Sequence, residues 1–267
     1  SSMNSQSFID WTKKEFSSAI SFNIKNSGIS FPSGRSIAYQ EIQKNLPLLI
    51  KNPLLTLPLD SSSILGDLIV RQNISLEQIV KIIDDGYSSP SYFSSSLEEL
   101  NLNHNIDIQD IARLLIMHNA PYMPITPIEK VASREYTGIV IDCRGSLPVH
   151  GEFSTDTAEP CIFPKIWDEN MNLIYERNMV QPLFAKENGI VTYSYTENES
   201  EYKDIIGKTP LRISARKIFG VQRTDPVISN KDALKILSIL ENRRLLEEGR
   251  VVFLLDKDAL VHPVTAP

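Results

Sequence analysis

The chain is short of cysteine, histidine and long apolar runs, and each shortage excludes a class of protein. Two cysteines in 267 residues cannot build a disulfide framework. The four histidines have neither H-x-H nor i, i+4 spacing, so the sequence predicts no metal site and no cofactor. No run approaches the roughly 20 apolar residues that span a bilayer. Disulfide-rich domains, common zinc enzymes and helical membrane proteins are therefore disfavoured.

The charge balance excludes another class of partner. The formal net charge is -6, which argues against nucleic acid or an anionic membrane surface as the main partner. Hydrophobic residues make up 42% of the chain, enough for a sizeable buried core. We therefore expect a globular protein that does not bind nucleic acid.

The two cysteines leave two alternatives open. Cys143 and Cys161 either form a single bridge or remain free thiols. Cys143 lies inside an apolar run, which favours a buried free thiol. Metal ligation by the pair is disfavoured, because no CxxC motif or histidine cluster accompanies it.

The N-terminal half has helical patterns beside a small number of strands. Alternating apolar residues from Phe16 to Ile24 predict a half-buried strand. A helix opens at residues 31–35, and Pro47 should kink or end it. Ser75 and Gln78 form a capping box for a helix that ends before Gly86. Asp107 and Asp110 cap a further helix, and an irregular strand is expected over residues 88–104.

A proline-rich segment predicts the division into domains. Three prolines fall within the seven residues 121–127, which indicates a stiff, extended linker. We therefore predict a helix-rich α+β domain over 1–127 and a β-rich α+β domain over 128–267. The second domain should contain strands over 136–142, 189–193, 211–218 and 250–255, a hairpin around 168–172, and one long helix from Ser229 to Gly249. The fold class is α+β, with the helix-rich half packed on a small sheet.

Two apolar strands that each end on a carboxylate supply the candidate site. Asp142 ends the first strand, Asp256 ends the second, and Arg144 and His150 follow Asp142, with Asp156 and Glu159 farther along the same loop. Ligands often bind beyond the carboxyl ends of strands in α/β sheets. The alternative is an Asp142–Arg144 contact that only anchors a loop, and this structural interpretation is the favoured one.

Parts of these motifs resemble enzymes and cell-wall binding modules. The IVID strand resembles the opening strand of zinc-dependent cell-wall amidases, but Cys143 and Arg144 stand where a histidine ligand is required. The DCRG residues resemble tail-specific serine proteases, without a recognisable serine–lysine pair. Residues 229–240 resemble the helix of OmpA-like peptidoglycan-binding domains, without its diagnostic acid and arginine.

Three blocks taken together resemble a single family. They are residues 137–145, residues 163–169 with 174–175, and residues 225–229 through 248–256, supported by residues 32–39, 57–60 and 66–67. These blocks resemble bacterial envelope proteins related to the lipoprotein family that includes the flagellar disc protein FlgP. The resemblance implies an exported, membrane-tethered protein that assembles with itself without catalysis. No lipidation cysteine lies near residue 1, so tethering assumes a trimmed start, with Ser1 and Ser2 as a cloning scar.

The sequence therefore leads to one functional hypothesis with two alternatives. The first is a non-catalytic, exported protein, periplasmic or associated with the outer membrane, that self-associates or contacts envelope machinery such as the flagellum. The second is a cell-envelope hydrolase that uses Asp142 and Asp256. The third is a small-ligand or peptidoglycan binding module.

Overall fold

A computed structural model of the chain describes residues 2–25, 27–28 and 34–265. The predicted helix start at residues 31–33 lies outside this part. The elements up to residue 115 are β1 (Met3–Asp10), β2 (Glu15–Asn23), α1 (Gly34–Leu55), α2 (Leu65–Val70), α3 (Leu76–Asp84), β3 (Tyr87–Ser88), β4 (Tyr92–Phe93), β5 (Glu99–Asp107) and α4 (Ile108–Leu115).

The remaining elements are mostly short strands. They are β6 (Ile139–Asp142), β7 (Ser146–Pro148), β8 (Thr155–Thr157), β9 (Ile166–Asp168), β10 (Leu173–Tyr175), α5 (Pro182–Asn188), β11 (Thr192–Ser194), α6 (Lys203–Ile206), β12 (Leu211–Ser214), β13 (Lys217–Phe219), β14 (Asp225–Ile228), α7 (Asn230–Leu237), α8 (Leu240–Glu247), β15 (Val251–Leu254), α9 (Lys257–Leu260) and β16 (Val261–Val264). The predicted mixed α+β fold with a strand-rich C-terminal half is confirmed.

The chain forms two compact units. The first comprises the described residues of Ser1–Leu57, Ile64–Asp110 and Val261–Pro267, and the second comprises Pro58–Ser63 and Ile111–Leu260. The chain therefore alternates between the units, since residues 58–63 belong to the second unit and residues 64–110 and 261–265 belong to the first. The predicted domain boundary at 127/128 stays a prediction.

The first unit is built on an antiparallel sheet. Its strands run in the order β16, β1, β2, β5 and β3, and β4 also pairs with β5. Phe16, Ile20 and Phe22 alternate on the buried face of β2, as the sequence predicts. Ser75 caps α3 through the predicted capping box with Gln78. β1 and β16 were not predicted. β16 pairs with β1 and forms one edge of the sheet.

Helix α1 runs through Pro47 and Pro53 and ends at Leu55. Pro47 therefore does not end the helix. The cost of an interior proline is about 3 kcal/mol, because one backbone hydrogen bond is lost. An apolar stripe with a spacing of four crosses Pro47 without a break and offsets that cost by packing. The stripe consists of the fully buried Ala38, Ile42, Leu46, Ile50 and Leu54.

The second unit contains a parallel four-stranded sheet in the order β11, β15, β6 and β12. The two central strands are buried along almost their whole length, which is typical of parallel sheets covered on both faces. One face packs a core cluster of Val140, Tyr202, Ile206, Val252 and Leu254. All four strands have their carboxyl ends at one edge.

A second four-stranded sheet in this unit has the order β10, β9, β14 and β13. Strands β9 and β10 form the predicted hairpin. The predicted strand over 211–218 is instead two strands, because β12 pairs in the parallel sheet and β13 pairs with β14. The predicted long helix is also two helices, since Ile239 adopts an extended conformation between α7 and α8.

Candidate functional site

The parallel sheet brings two predicted site residues to the same edge. Asp142 is the last residue of β6, and Asp256 follows Leu254, the last residue of the neighbouring β15. Strands β6 and β15 pair in parallel with Asp142 opposite Leu254. The carboxyl ends of adjacent parallel strands must lie side by side, so the two carboxylates approach one another although they are 114 positions apart in the sequence.

Arg144 holds Asp142 by a two-point contact. The guanidinium Nε donates to Oδ1 of Asp142 at 2.9 Å, and Nη2 donates to Oδ2 at 2.8 Å. The backbone amide of Arg144 also donates to Oδ1 at 3.0 Å. Three donors from one residue therefore occupy most of the acceptor positions of this carboxylate, in the bidentate geometry that arginine prefers with carboxylates. The predicted Asp142–Arg144 contact is present.

Asp256 binds the next amide along the same turn. Its Oδ1 accepts from the backbone amide of Gly145 at 3.0 Å. Asp142 and Asp256 thus accept from consecutive amides, those of Arg144 and Gly145. Consecutive residues have Cα atoms about 3.8 Å apart, so the two Oδ1 atoms lie within roughly 10 Å of each other. The two carboxylates therefore hold the backbone of the turn that follows β6.

His150 lies apart from this group. Its backbone amide donates to the carbonyl of Ile218 at 2.9 Å, and its ring packs edge-on against Phe219 at 5.9 Å between centroids. Both contacts are with β13, which belongs to the other sheet of the unit. The contacts of His150 therefore do not connect it with Asp142 and Arg144.

The acids farther along the loop also have other partners. Arg223 donates to Asp156 at 3.1 Å and to Glu152 at 2.6 Å. The amide of Glu159 donates to the carbonyl of Arg223 at 2.8 Å. Asp156 and Glu159 thus anchor the loop on Arg223, rather than joining Asp142.

One member of the site was missed by the sequence analysis. Glu197 accepts from Nη2 of Arg144 at 2.6 Å, and its side chain is 78% exposed. It lies three residues beyond β11, which ends at the same edge of the sheet as β6. The sequence shows only that Glu197 follows a predicted strand. It does not show which strands are neighbours in the sheet, so it could not place Glu197 beside Arg144.

The electrostatics of the site favour ionised, mutually paired groups. The hydrogen bond from the Arg144 side chain lowers the pKa of Asp142, and burial opposes it. Hydrogen bonds to Asp142 and Glu197 raise the pKa of Arg144. Asp142 therefore stays a carboxylate at neutral pH and has no proton to donate. General acid catalysis requires a carboxyl group whose pKa is raised, which is the opposite condition.

Cys143 does not supply a nucleophile beside this carboxylate. Both Cys143 and Cys161 are free and buried. Burial raises the pKa of the Cys143 thiol, so the reactive thiolate is disfavoured. Within the described residues, no group of three or more His, Cys, Asp or Glu side chains is arranged to hold a metal ion. Arg144 therefore forms ion pairs with Asp142 and Glu197 that hold the loop after β6.

Comparison with family models matches both halves of the chain. Residues 2–114 match the N-terminal domain of Treponema pallidum Tp0624, and residues 138–257 match its second domain. The chain is similar to two domains of Tp0624. These matches support a bacterial protein family, and the descriptions of the Tp0624 domains name no activity, ligand or partner. Asp142, Arg144, Glu197 and Asp256 all fall within the part that matches the second Tp0624 domain.

No curated protein matched the chain. Neither family match is to the lipoprotein family of FlgP, so that predicted resemblance is not confirmed. The coarser expectation of a bacterial protein family is supported by the Tp0624 domains.

Proposed function

We propose that the chain is a non-catalytic protein of the bacterial cell envelope that associates with copies of itself. The observation that supports the non-catalytic part is that Arg144 supplies three donors to the carboxylate of Asp142. A carboxylate with three close donors and a lowered pKa is a structural anchor and a poor acid or base. Its role is to hold the turn after β6, together with Asp256.

Self-association is supported by apolar side chains that face solvent. Met117, Ile125 and Ile128 lie along segment 117–128, which forms no helix or strand, and are 81%, 91% and 102% exposed. Apolar side chains exposed close together can form an interaction surface, and these three lie within one short segment of the chain. The sheet edge of the first unit is poorly suited to pairing, since β3 has two residues and β16 contains Pro263. The 117–128 segment is therefore the proposed contact surface.

The proposed location is the periplasm or the outer membrane, with export and a membrane tether through a removed N-terminal segment. Association with the flagellum or other envelope machinery is part of this proposal and rests on the resemblance of the sequence blocks to the FlgP family. Of the helices in the described residues, none is both long and apolar enough to cross a bilayer.

Sedimentation velocity across a range of protein concentrations tests the association. The wild-type chain should show a mass that rises with concentration. Ile125→Asp combined with Ile128→Asp should shift that rise to higher concentration by about tenfold or more, because two apolar contacts are replaced by charges. Val221→Asp is the control, since Val221 is 80% exposed and lies outside the segment. A wild-type chain that stays monomeric throughout would overturn the proposal.

One observation keeps the hydrolase alternative in view. Asp142 and Asp256 lie within roughly 10 Å of one another, and paired carboxylates in glycoside hydrolases are about 5–9.5 Å apart. Incubation with purified peptidoglycan distinguishes the alternatives. Release of soluble fragments by the wild-type chain and its loss in Asp256→Asn would overturn the non-catalytic proposal, whereas no release supports it.

A further inference from the structure

The second unit contains a cavity to which the proposed function assigns no ligand. Its volume is 690 Å³, within the roughly 300–1,000 Å³ typical of small-molecule sites. It is lined by residues 122–129, which form no helix or strand, by α7 and by the β9–β10 hairpin. Its apolar wall is formed by Leu173, Met179, Leu234 and Leu237. A cavity of this size could hold a molecule with an apolar body.

The segment over the cavity is held at both ends. Tyr122 donates through its amide to the carbonyl of Asn178 at 3.2 Å and through its hydroxyl to Glu176 at 2.8 Å. The amide of Val131 donates to Oγ of Ser238 at 3.2 Å. Pro124 and Pro127 lie between these anchors and lack an amide proton. The fixed φ angles of these two prolines restrict the conformations of the segment that lines the cavity.

The polar end of the cavity contains a paired carboxylate and an unpaired amide oxygen. Asp168 is buried, and its carboxylate accepts from the backbone amides of Asn170 at 2.9 Å and Asn172 at 2.8 Å and from Nδ2 of Asn172 at 2.9 Å, so it contributes negative charge. The side-chain oxygen of Asn230 is buried and has no hydrogen-bond partner among the described residues. A buried acceptor without a partner destabilises the folded state, so a ligand that donates a hydrogen bond to it would recover that free energy. Asn230 lines the cavity.

The charged residues that line the cavity favour a positively charged ligand. The acidic residues of the lining are Asp168 and Glu129, and among the described residues the lining includes no lysine, arginine or histidine. Asp232 in the first turn of α7 partly offsets the positive end of that helix and is also 3.8 Å from Nζ of Lys235, which does not line the cavity. An anionic head would therefore meet like charges, whereas a cationic donor would be attracted.

We propose that this cavity binds a small amphipathic amine, with its apolar body against Leu234 and Leu237 and its ammonium group donating to Asn230. This inference goes beyond the proposed self-association. It requires only the second unit, although Ile125 and Ile128 both line the cavity and belong to the proposed contact surface. The ligand class follows from the apolar wall, the unpaired acceptor and the acidic lining together.

Isothermal titration calorimetry with octylamine and octanoate tests the proposal on the full chain. Octylamine should bind at one saturable site, and octanoate should bind at least about tenfold more weakly, because the acidic lining repels it. The measurement is made at the lowest protein concentration that gives a signal, so that its outcome is independent of association. No saturable octylamine binding, or equal binding of both probes, would overturn the proposal.

Two pairs of variants locate the site. Leu234→Trp should abolish octylamine binding by filling the cavity, and Leu183→Trp should leave it intact, since Leu183 is exposed and outside the lining. Asn230→Leu should weaken binding about tenfold, whereas Asn230→Asp keeps an acceptor and should retain it. Circular dichroism checks folding, and if Leu234→Trp does not fold, the Asn230 pair decides. Unchanged binding in Asn230→Leu would refute the assigned contact.

Discussion

Nε and Nη2 of Arg144 contact the two carboxylate oxygens of Asp142 at 2.9 and 2.8 Å, which makes them one bidentate ion pair at the end of β6. The pair is partly exposed, with 26% of the Arg144 side chain and 38% of the Asp142 side chain accessible. It is therefore a clamp on the turn, whose contribution to stability is reduced by solvent screening.

Replacement of Arg144 by leucine measures that clamp. Arg144→Leu should lower the free energy of unfolding by about 1 kcal/mol, because Asp142 loses two charge-assisted hydrogen bonds in a partly screened position. Urea denaturation supplies the measurement. Arg212→Leu is the control, since Arg212 forms a similar two-point pair with Glu199 but is 62% exposed. An equal loss in both variants would show that the position after β6 has no special role.

His104 should make stability depend on pH. It is buried in β5, with Nδ1 at 2.7 Å from Oγ of Ser88 and Nε2 beside the carbonyl of Ile83. Burial lowers its pKa, against the opposing effects of Ile83 and Asp84. A lowered histidine pKa means that the folded state binds the proton less readily than the unfolded chain. The stability contributed by neutral His104 is therefore present above pH 6.5 and is lost as the pH falls below that value.

Chemical denaturation at pH 7.5 and pH 5.5 checks this dependence. The wild-type chain should lose more unfolding free energy on acidification than His104→Gln, which cannot titrate. The difference between the two losses isolates His104 from the other titrating groups. Equal losses would mean that His104 is not the titrating group.

Gly138 should be intolerant of any side chain. A Cβ at this position would contact the Cα of Ile206 and lie 2.7 Å from its carbonyl oxygen. These are backbone atoms, which cannot rotate away, so Gly138→Ala should lower the free energy of unfolding by about 2 kcal/mol or more. Gly145→Ala is the comparison, because a Cβ there meets nothing within 4 Å and the cost is only that of its φ of +80°. Thermal unfolding of both variants shows which substitution destabilises the protein more. A smaller loss of stability in Gly138→Ala than in Gly145→Ala would contradict the prediction.

The sequence patterns predicted those elements that depend on interactions between residues close together in the chain. The alternation in β2 and the capping box of α3 are present because each depends on residues a few positions apart. The pairing of β16 with β1 could not be predicted, since it joins the two ends of the chain. The run 211–218 is also a single strand by pattern, and its division between two sheets depends on β6 and β14, far away in sequence.

The candidate site shows the same division between local and long-range information. The contact of Asp142 with Arg144 spans two residues, and the sequence predicted it. The placement of Glu197 and the separation of His150 follow from which strands are neighbours, which no single segment specifies. The cavity beneath residues 122–129 was also missed, because prolines indicate a stiff segment without indicating what lies beneath it.

Asp225 begins β14 and is a fully buried acid that should tolerate substitution poorly. It is 0% exposed, and it accepts from the amide of Lys165 at 3.1 Å, the hydroxyl of Thr224 at 3.0 Å and Nε1 of Trp167 at 3.0 Å. Burial raises its pKa, and these donors oppose that effect. Asp225→Asn keeps the shape but turns one acceptor into a donor, which would face the Trp167 N–H. We expect a loss of roughly 1–3 kcal/mol in the free energy of unfolding.

A double-mutant cycle assigns that loss to the indole contact. Trp167→Phe removes the N–H donor, so Asp225→Asn should cost less in the Trp167→Phe background than in the wild-type chain. Urea denaturation of the four proteins gives the coupling free energy, which should be about 1 kcal/mol if the indole donates to Asp225. Additive losses would show that Asp225 acts through Lys165 and Thr224 alone, because only the contact with Trp167 differs between the two backgrounds.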